Sequence, residues 1–345
     1  MPCGRWICSL RAAPEKTSLS GQHILLCHSD DEGRSWTQTA PFTVKELNGK
    51  TGTFRTAFLT ALGGEKLIAI LCWVDQSQPE LPFFNEVTEG LLDTRVFLSR
   101  SFDCGQTWSE PEHISTLTFD VPTPITGPIL VVDDTTWACQ FELNKHYSDT
   151  SEWRHSSVLI FSQDEGRSWP EYSIAANDSE NRVFYWDQRP AVLADGMLLV
   201  AFWTYDNQEA SYRNIHLRES IDGGHTWSDL WDSGIPGQPA PPCLLSDGRI
   251  VLVYVDRTAT PCIKMRSSSD CGRTWPIETE VIIHESKYSL HHCERNSMQD
   301  AWSEMSAFAI GLPATASLPN GDLLVVFYGG SDTDHTDIHW TRVGL

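Results

Sequence analysis

The sequence predicts an all-β fold, a six-bladed β-propeller, because one turn pattern recurs at blade-sized intervals and the composition favours strands. The pattern is Ser-x-Asp-x-Gly-x-(Ser/Thr)-Trp, and its five aspartates are Asp31, Asp103, Asp164, Asp222 and Asp270. Successive copies are roughly 50 to 70 residues apart, which is the length of one four-stranded blade with its loops. Five complete copies of one pattern indicate a repeat architecture.

Composition agrees with short strands joined by loops. The 345 residues include 14 Trp and 19 Pro, and 40% of the chain is hydrophobic, which is enough for a sizeable core. Long Leu/Ala/Glu/Lys stretches of helical type are missing from the sequence. All-β propellers often form one long unit, so we expect a single propeller domain over residues 1–345, with its first blade incomplete at the N-terminus.

Each position of the repeated pattern has a structural task. The Asp carboxylate can accept hydrogen bonds from the backbone N–H groups of its own turn. The Gly adopts a positive φ that other residues resist, and the Trp packs a large apolar face against the blade. Chemistry does not need the same carboxylate five times, so we interpret these aspartates as structural.

Apolar runs with hairpin dipeptides precede the turn patterns and define the blades. The dipeptides are Gly63-Gly64, Asp195-Gly196, Asp247-Gly248 and Asn320-Gly321. We expect blades two to five over residues 54–111, 122–171, 185–231 and 238–284, and a sixth blade, without the pattern, in residues 313–330 and 338–345. The first blade lacks residues for its first strand, so we expect either further chain upstream or the C-terminal segment to supply it.

The repeated pattern resembles the Asp-box, or BNR repeat, of the sialidase (neuraminidase) superfamily, in which it closes the hairpin between the third and outermost strands of a blade. This resemblance implies a six-bladed propeller of sialidase type. It also implies an exo-glycoside hydrolase that acts on terminal sugars, with sialic acid as one candidate. We expect the active site at the starts of first strands, the ends of second strands and the loops between second and third strands.

Charged residues at these places form the candidate site. Carboxylates can act as acid, base or nucleophile, and arginine forks bind a substrate carboxylate or hydroxyl groups. The catalytic candidates by this criterion are Asp75, Glu86 and Glu142. The substrate-binding candidates are Arg11, His146, Arg213 and Arg257. An insertion before the sixth blade adds His291, His292, Glu294 and Arg295.

One segment of the second blade carries a closer resemblance to a sialidase site. Phe54-Arg55-Thr56-Ala57 is similar to the Phe/Tyr-Arg-Ile-Pro signature, although Thr-Ala replaces Ile-Pro. The resemblance implies that Arg55 holds the carboxylate of sialic acid. The loop that follows occupies the place of the acid/base Asp of sialidases, and its candidates are Asp75 and Glu86.

A second such segment lies in the fourth blade. Asp187 stands nine residues before Gly196, the spacing at which sialidases place the Glu that activates their nucleophilic Tyr. Arg189 faces the same side, since side chains alternate along a strand. Tyr185 or a water molecule is the candidate nucleophile. The competing interpretation is a plain ion pair between Asp187 and Arg189.

Other positions depart from the superfamily pattern. The same spacing, counted back from Gly321, places Leu312 where the nucleophilic Tyr would stand. Trp203 and Thr260 fall near the places of the remaining arginines of the carboxylate-binding triad, and neighbouring loops offer the substitutes Arg213 and Arg257. We therefore predict a sialidase-like exo-glycoside hydrolase with an altered catalytic set. The alternatives left open are a non-catalytic propeller that binds carbohydrate or protein, and an enzyme for other sugars.

Charge and cysteine usage exclude several partner classes. A net charge of −21 argues against nucleic acid, which needs a basic face, and no apolar run approaches membrane-spanning length. His146, His155 and Glu142 match no metal-ligand spacing, and the ten cysteines lack zinc-type pairs, so no metal or other cofactor is predicted. No signal peptide is recognised, so we expect reduced thiols in a cytoplasmic protein whose partner is a glycan or small sugar. The oligomeric state stays open.

Overall fold

The computed structural model describes residues 1, 4–43, 45–116, 119–193, 196–287 and 295–345. In these ranges the chain forms antiparallel strands and one α-helix, α1 (Met298–Ser306). No helix of the described chain is long and apolar enough to cross a membrane.

The first two sheets follow one another along the chain. The first has the order β1-β2-β3, with bounds Trp6–Ala12, His23–Ser29 and Thr37–Thr39. The second contains β4 (Lys45–Leu47), β5 (Lys50–Ala61), β6 (Leu67–Asp75), β9 (Thr94–Ser101) and β10 (Glu112–His113). Its order is β10-β9-β6-β5-β4, and the loop after β6 holds a small hairpin of β7 (Phe84–Asn85) and β8 (Gly90–Leu91).

The third and fourth sheets repeat this antiparallel order. The third is β11-β12-β13-β14, with bounds Leu130–Val131, Trp137–Leu143, Ser156–Ser162 and Glu171–Asn177. The fourth has the order β15-β16-β18-β19, with bounds Val183–Val192, Leu198–Asp206, Asn214–Ser220 and Trp231–Pro236. The short strand β17 (Ser211–Tyr212) also pairs with β16.

The last two sheets complete the described chain. The fifth has the order β20-β22-β23-β24, with bounds Gln238–Pro239, Ile250–Asp256, Cys262–Ser268 and Val281–Glu285, and β21 (Cys243–Leu244) also pairs with β22. The sixth has the order β25-β26-β27, with bounds Ile310–Ser317, Leu323–Gly330 and Thr336–Val343. The C-terminal strand β27 thus pairs with β26.

The chain divides into two compact units. The N-terminal unit comprises residues 1–154 and 158–173, and the C-terminal unit comprises residues 155–157 and 174–345. The expectation of one domain over residues 1–345 stays a prediction.

The second strand of a sheet forms the centre of the core. The strands β6, β16 and β22 are buried along almost their whole length on both faces, as their continuous apolar sequences indicate. In the N-terminal unit Trp73 of β6 packs in a cluster with Phe54 and Phe97. In the C-terminal unit Val253 and Tyr254 of β22 belong to two different clusters, one on each face of the fifth sheet.

Several predicted boundaries need correction. The first strand of the second sheet begins at Lys50, before Phe54, because the backbone continues to pair with β6 up to Asp75. The third sheet begins at Leu130 and not at residue 122, since Ile125 forms only an isolated bridge to Phe141. Helix α1 was not predicted and lies in the insertion before the sixth sheet.

The five Asp-box turns have the predicted geometry. They join β2 to β3, β9 to β10, β13 to β14, β18 to β19 and β23 to β24. In the turn after β18, the Ser220 hydroxyl donates to Asp222 over 2.7 Å, and Asp222 accepts from the backbone N–H and hydroxyl of Thr226 over 2.8 and 2.6 Å. Positive φ is shared by the Gly and the residue before it, which is Glu32, Cys104, Glu165, Gly223 or Cys271.

Candidate functional site

Three first strands bend at the positions that the sequence singles out. The pairing register shifts between Phe54 and Thr56 in β5, between Trp186 and Arg189 in β15, and between Gly311 and Ala314 in β25. These β-bulges contain Arg55, Asp187 and Leu312. A bulge changes the direction of a side chain and is common beside active sites. Asp187 and Leu312 have φ values of 50° and 48°.

In the C-terminal unit a chain of polar contacts starts at Asp187. One carboxylate oxygen lies 3.3 Å from Nη2 of Arg189, and the other accepts a hydrogen bond from the amide of Gln238. The oxygen of the same amide accepts from Nη1 of Arg257 over 3.1 Å. Arg257 also donates to the Ile310 carbonyl over 2.7 Å. Gln238 therefore fixes the distance between the carboxylate and the second guanidinium.

Tyr328 belongs to the same cluster. It hydrogen-bonds to Arg257 and interacts electrostatically with Asp187. Burial raises the pKa of Tyr328, the charge and hydrogen bond of Arg257 oppose that rise, and Asp187 adds to it. Gly311 is the register partner of Tyr328 on the neighbouring strand. A Cβ on Gly311 would lie 2.9 Å from the Tyr328 phenol oxygen and even closer to Arg257. The absence of a side chain at residue 311 leaves room for both groups.

Four aromatic rings from β15, β16 and β17 pack against one another, and one of them belongs to Trp186, which precedes Asp187 in the sequence. Trp186 stacks on Tyr205 and Trp203 stacks on Tyr212, both with ring centroids 4.8 Å apart. Edge-to-face contacts of 5.7 and 5.5 Å join the two stacks. Burial raises the pKa of Tyr205 to about 12 and also raises that of Tyr212, so both phenols stay protonated.

Helix α1 and its flanks contribute Glu304 and Phe308, which the sequence did not identify, and also hold Arg295 of the predicted insertion. Arg295 makes a two-pronged ion pair with Glu304, with N–O distances of 2.9 and 2.7 Å, and its guanidinium lies 4.6 Å above the Tyr212 ring. Phe308 packs 3.9 Å from the Arg257 guanidinium. The Ser297 cap, which accepts from the Asp300 N–H, was the sequence signal that could have revealed the helix.

Two predicted site residues of the C-terminal unit lie in other surroundings. The Tyr185 ring packs against Phe202 and His216 at 5.7 and 6.0 Å, within an apolar cluster. Arg213 forms ion pairs with the buried Asp206 and with Glu209. Among the described contacts neither residue meets Asp187, so the geometry favours Tyr328 over Tyr185 as the tyrosine beside that carboxylate.

The N-terminal unit contains a cavity of about 300 Å³ that brings together Asp75 and His146. Lys50 and Asp93 also line the cavity. Nζ of Lys50 lies 2.9 Å from Asp75 and 3.5 Å from Asp93. Burial raises the Asp75 pKa, but hydrogen bonds from Ser77 and Lys50 outweigh it, so the pKa is lowered overall. Asp75 is therefore an anion at neutral pH and is not poised to donate a proton.

Arg55 and Arg11 form a second positive cluster in the N-terminal unit. The Arg55 guanidinium lies 4.5 Å from the Phe83 ring centroid, and burial lowers its pKa. Burial and the charge of Arg55 lower the pKa of Arg11 to about 9. Arg11 is engaged by Gln22 over 2.7 Å and by the Lys16 carbonyl over 2.9 Å. In the described ranges no carboxylate pairs with Arg55, which leaves its charge for an anion.

The remaining candidates are dispersed. Glu86 is exposed between β7 and β8, and Glu142 is half-buried near the end of β12. The His146 ring lies 2.8 Å from the Asp120 carbonyl oxygen. His291, His292 and Glu294 lie outside the described residues. The catalytic and binding roles assigned from the sequence stay predictions.

A family model described as a BNR repeat-like domain matches residues 80–290, which is more than half of the chain. The chain therefore belongs to the BNR repeat-like domain family. No curated protein matches the chain in sequence.

Similar solved structures confirm the six-bladed propeller of sialidase type. A protein of unknown function from Dyadobacter fermentans has a TM-score of 0.72 at 17% identity, over 98% of this chain and 91% of its own. The Hadza microbial sialidase Hz136 has a TM-score of 0.66 at 15% identity, over 99% of this chain and 64% of its own. A leech intramolecular trans-sialidase, complexed with 2,7-anhydro-Neu5Ac, has a TM-score of 0.63 at 13% identity, over 98% of this chain and 66% of its own. At these identities the likeness concerns the fold.

Proposed function

We propose that the chain is a sialidase-like exo-glycoside hydrolase that acts on a terminal sugar carrying a carboxylate. The observation that supports this most is the cluster of Asp187, Tyr328 and Arg257, joined through Gln238. It contains the two groups that a tyrosine nucleophile requires, a carboxylate base and a cation beside the phenol. Sialidases and a trans-sialidase share the fold.

The charge balance of the cluster supports an anionic substrate. Two guanidiniums, Arg189 and Arg257, accompany one carboxylate, Asp187. The cluster therefore carries local positive charge within a chain whose net charge is −21. A guanidinium recognises a carboxylate through parallel N–H donors, so a sugar acid fits better than a neutral sugar. Arg55 remains the carboxylate ligand predicted from the sequence.

The proposed chemistry is a double displacement. Asp187 takes the phenol proton of Tyr328, and the phenolate oxygen attacks the anomeric carbon while the bond to the leaving oxygen breaks. Arg257 stabilises the phenolate because it lowers the cost of the negative charge. Water then attacks the same carbon while the bond to the Tyr328 oxygen breaks; Asp187 returns its proton to the departing phenolate, the proton of the water passes to solvent, and the product has retained configuration. An aryl leaving group of low pKa departs without a proton. Its release therefore tests the attack by Tyr328 without the need for a general acid.

The test is hydrolysis of a panel of nitrophenyl glycosides, with a sialoside included, by the wild type and by Asp187→Asn and Tyr328→Phe. We expect release from an acidic sugar and a fall in kcat of at least about 10²- to 10³-fold in either variant. Tyr185→Phe is the matched control, because it removes the same hydroxyl from a tyrosine that packs elsewhere. It should retain the wild-type rate.

Other outcomes define the alternatives. Release from a neutral sugar alone would keep the hydrolase class and reject the anionic substrate. Loss of activity in Tyr185→Phe but not in Tyr328→Phe would reject the proposed nucleophile. The exposed Leu312 at the superfamily's tyrosine position favours one other function, a non-catalytic carbohydrate-binding propeller. Saturable glycan binding without any release would support that function.

A further inference from the structure

Two cysteines face each other across the first sheet. Cys8 of β1 is the direct register partner of Cys27 of β2. Residues directly opposite in an antiparallel pair have Cα atoms about 4.5 or 5.5 Å apart, and a disulfide spans about 4.4 to 6.8 Å. The two thiols already hydrogen-bond to each other. The bond between the two sulfurs can therefore form without a change of register.

The pair lies on the face of the first sheet that points away from the second sheet, where Cys8 is partly accessible. The Ser9 hydroxyl donates to the Ala57 carbonyl over 2.6 Å, so Ser9 faces the second sheet and Cys8 faces the other way. Cys8 is only half-buried, while Cys27 is 6% exposed. Gln38 of β3, the partner of Cys27 on its other side, completes a polar row across the sheet.

The hydrogen bond inside the pair favours a thiolate at one of the two sulfurs, because it raises the pKa of Cys8, as burial also does, and lowers the pKa of Cys27. A hydrogen bond from the Cys8 thiol lowers the pKa of Cys27 to about 7; burial opposes this shift, and a hydrogen bond that Cys27 accepts from the Gln38 amide adds to it. Burial instead raises the pKa of Cys72 and of Cys262 to about 11. Because the thiolate is the attacking species in disulfide exchange, Cys27 is the expected nucleophile, and the reagent approaches it beside the half-buried Cys8.

We infer that Cys8 and Cys27 form a reversible disulfide site that reacts with small-molecule disulfides such as oxidised glutathione. The Cys27 thiolate attacks one sulfur of the reagent, forms a mixed disulfide and releases one thiol. The Cys8 thiolate then attacks the Cys27 sulfur, closes the Cys8–Cys27 bond and releases the second thiol. The chain loses two hydrogens and two electrons, and the reagent gains them. The site lies on the strand that carries Arg11.

The experiment uses the full chain. It is equilibrated with oxidised glutathione, its remaining thiols are alkylated, and its peptides are mapped by mass. We expect the Cys8 and Cys27 peptides to be cross-linked, and dithiothreitol to restore both thiols. In Cys8→Ser, Cys27 has no second thiol and should keep a glutathione adduct. Cys271→Ser removes an exposed cysteine of the fifth turn and should leave the cross-link intact.

Two results would overturn the inference. One is that Cys8 and Cys27 of the wild type are both still alkylated after an oxidation strong enough to modify the exposed Cys271, because they would then have stayed reduced. The other is a stable glutathione adduct on Cys27 in the wild type, which would show that Cys8 cannot reach the mixed disulfide. Both are read on the wild-type chain, so they do not depend on the folding of a variant.

Discussion

Residue 312 carries backbone strain that its side chain does not relieve. Leu312 has a φ of 48° and is 53% exposed, so an unbranched polar or glycine residue would fit this conformation better. Asp187 has a similar φ, but aspartate tolerates it more readily. The two bulges thus share a backbone shape and differ in chemistry.

We expect Leu312→Gly to stabilise the folded chain by about 1 kcal/mol, because glycine removes the steric cost of positive φ. Leu312→Ala is the matched control, since it shortens the side chain but keeps the Cβ. Urea unfolding of the three proteins measures the difference. Equal midpoints for the glycine and alanine variants would show that the bulge stores no strain.

A substitution at Gly311 distinguishes an effect on the proposed site from an effect on the packing of the sheet. A Cβ at this position would meet Arg257 and Tyr328, whereas one at Gly329 of the same sheet would lie 3.2 Å from the His339 ring. We expect Gly311→Ala to lower kcat/KM on the substrate found in the panel by at least about tenfold, since small misplacements of reacting groups are costly. Gly329→Ala should leave kcat/KM within about twofold of wild type. The same loss in both variants would mean that sheet packing, not the site, was disturbed.

Residue chemistry was only partly visible in the sequence. Arg55 stood out because its segment resembles a family signature, and Asp187 because its spacing from Gly196 does; both lie in bulges. Tyr328 could not be singled out, because its approach to Asp187 depends on an empty position on a neighbouring strand. Tyr185 is a candidate because it lies at the start of a first strand, but its ring turns into an apolar cluster.

At the scale of elements, the Asp-box turns couple the fold to pH. Hydrogen bonds from the Ser or Thr hydroxyl, and then from backbone N–H groups, lower the pKa of Asp31, Asp103, Asp164 and Asp270 to about 2. For Asp222 burial opposes the shift, but the bonds from Thr226 outweigh it and the pKa is again about 2. In the unfolded chain the pKa of these carboxyl groups is about 3.9.

The folded chain therefore loses stability in acid. Between about pH 4 and pH 2 the unfolded state binds more protons than the folded state, so stability rises with pH and is lost as pH falls through this window. We expect the urea midpoint to fall steeply from pH 4 to pH 2, and Asp103→Asn to make the fall shallower. The exposed Asp134→Asn is the control. A slope unchanged by Asp103→Asn would contradict the role of the turns.

Strands and turns were the most predictable elements. The turn pattern is local, because the hydrogen bonds that join its Ser to its Asp and its Trp to its Gly all form within eight residues, so the sequence alone specifies it. Bulges and strand starts are not local. The extension of β5 to Lys50 depends on pairing with the end of β6, which no window of sequence contains.

For the whole molecule, repetition made the fold predictable. Five turns in order along the chain imply successive sheets, and the described residues form six successive sheets besides the small β7-β8 hairpin. Helix α1 was missed because it occurs once, in an insertion that no repeat predicts. The ion pair of Arg295 with Glu304 and the packing of Phe308 on Arg257 depend on that helix and its flank, so they were also missed.

The most direct test of the proposed double displacement is to trap its covalent intermediate. The wild type is incubated with a fluorinated, slowly turned-over analogue of the acidic sugar that the panel identifies, and the labelled peptide is located by mass. A double displacement at this site predicts the sugar on Tyr328 in the wild type and no label in Asp187→Asn. A label on Tyr185 or on another residue, or turnover with inversion and no label, would contradict it.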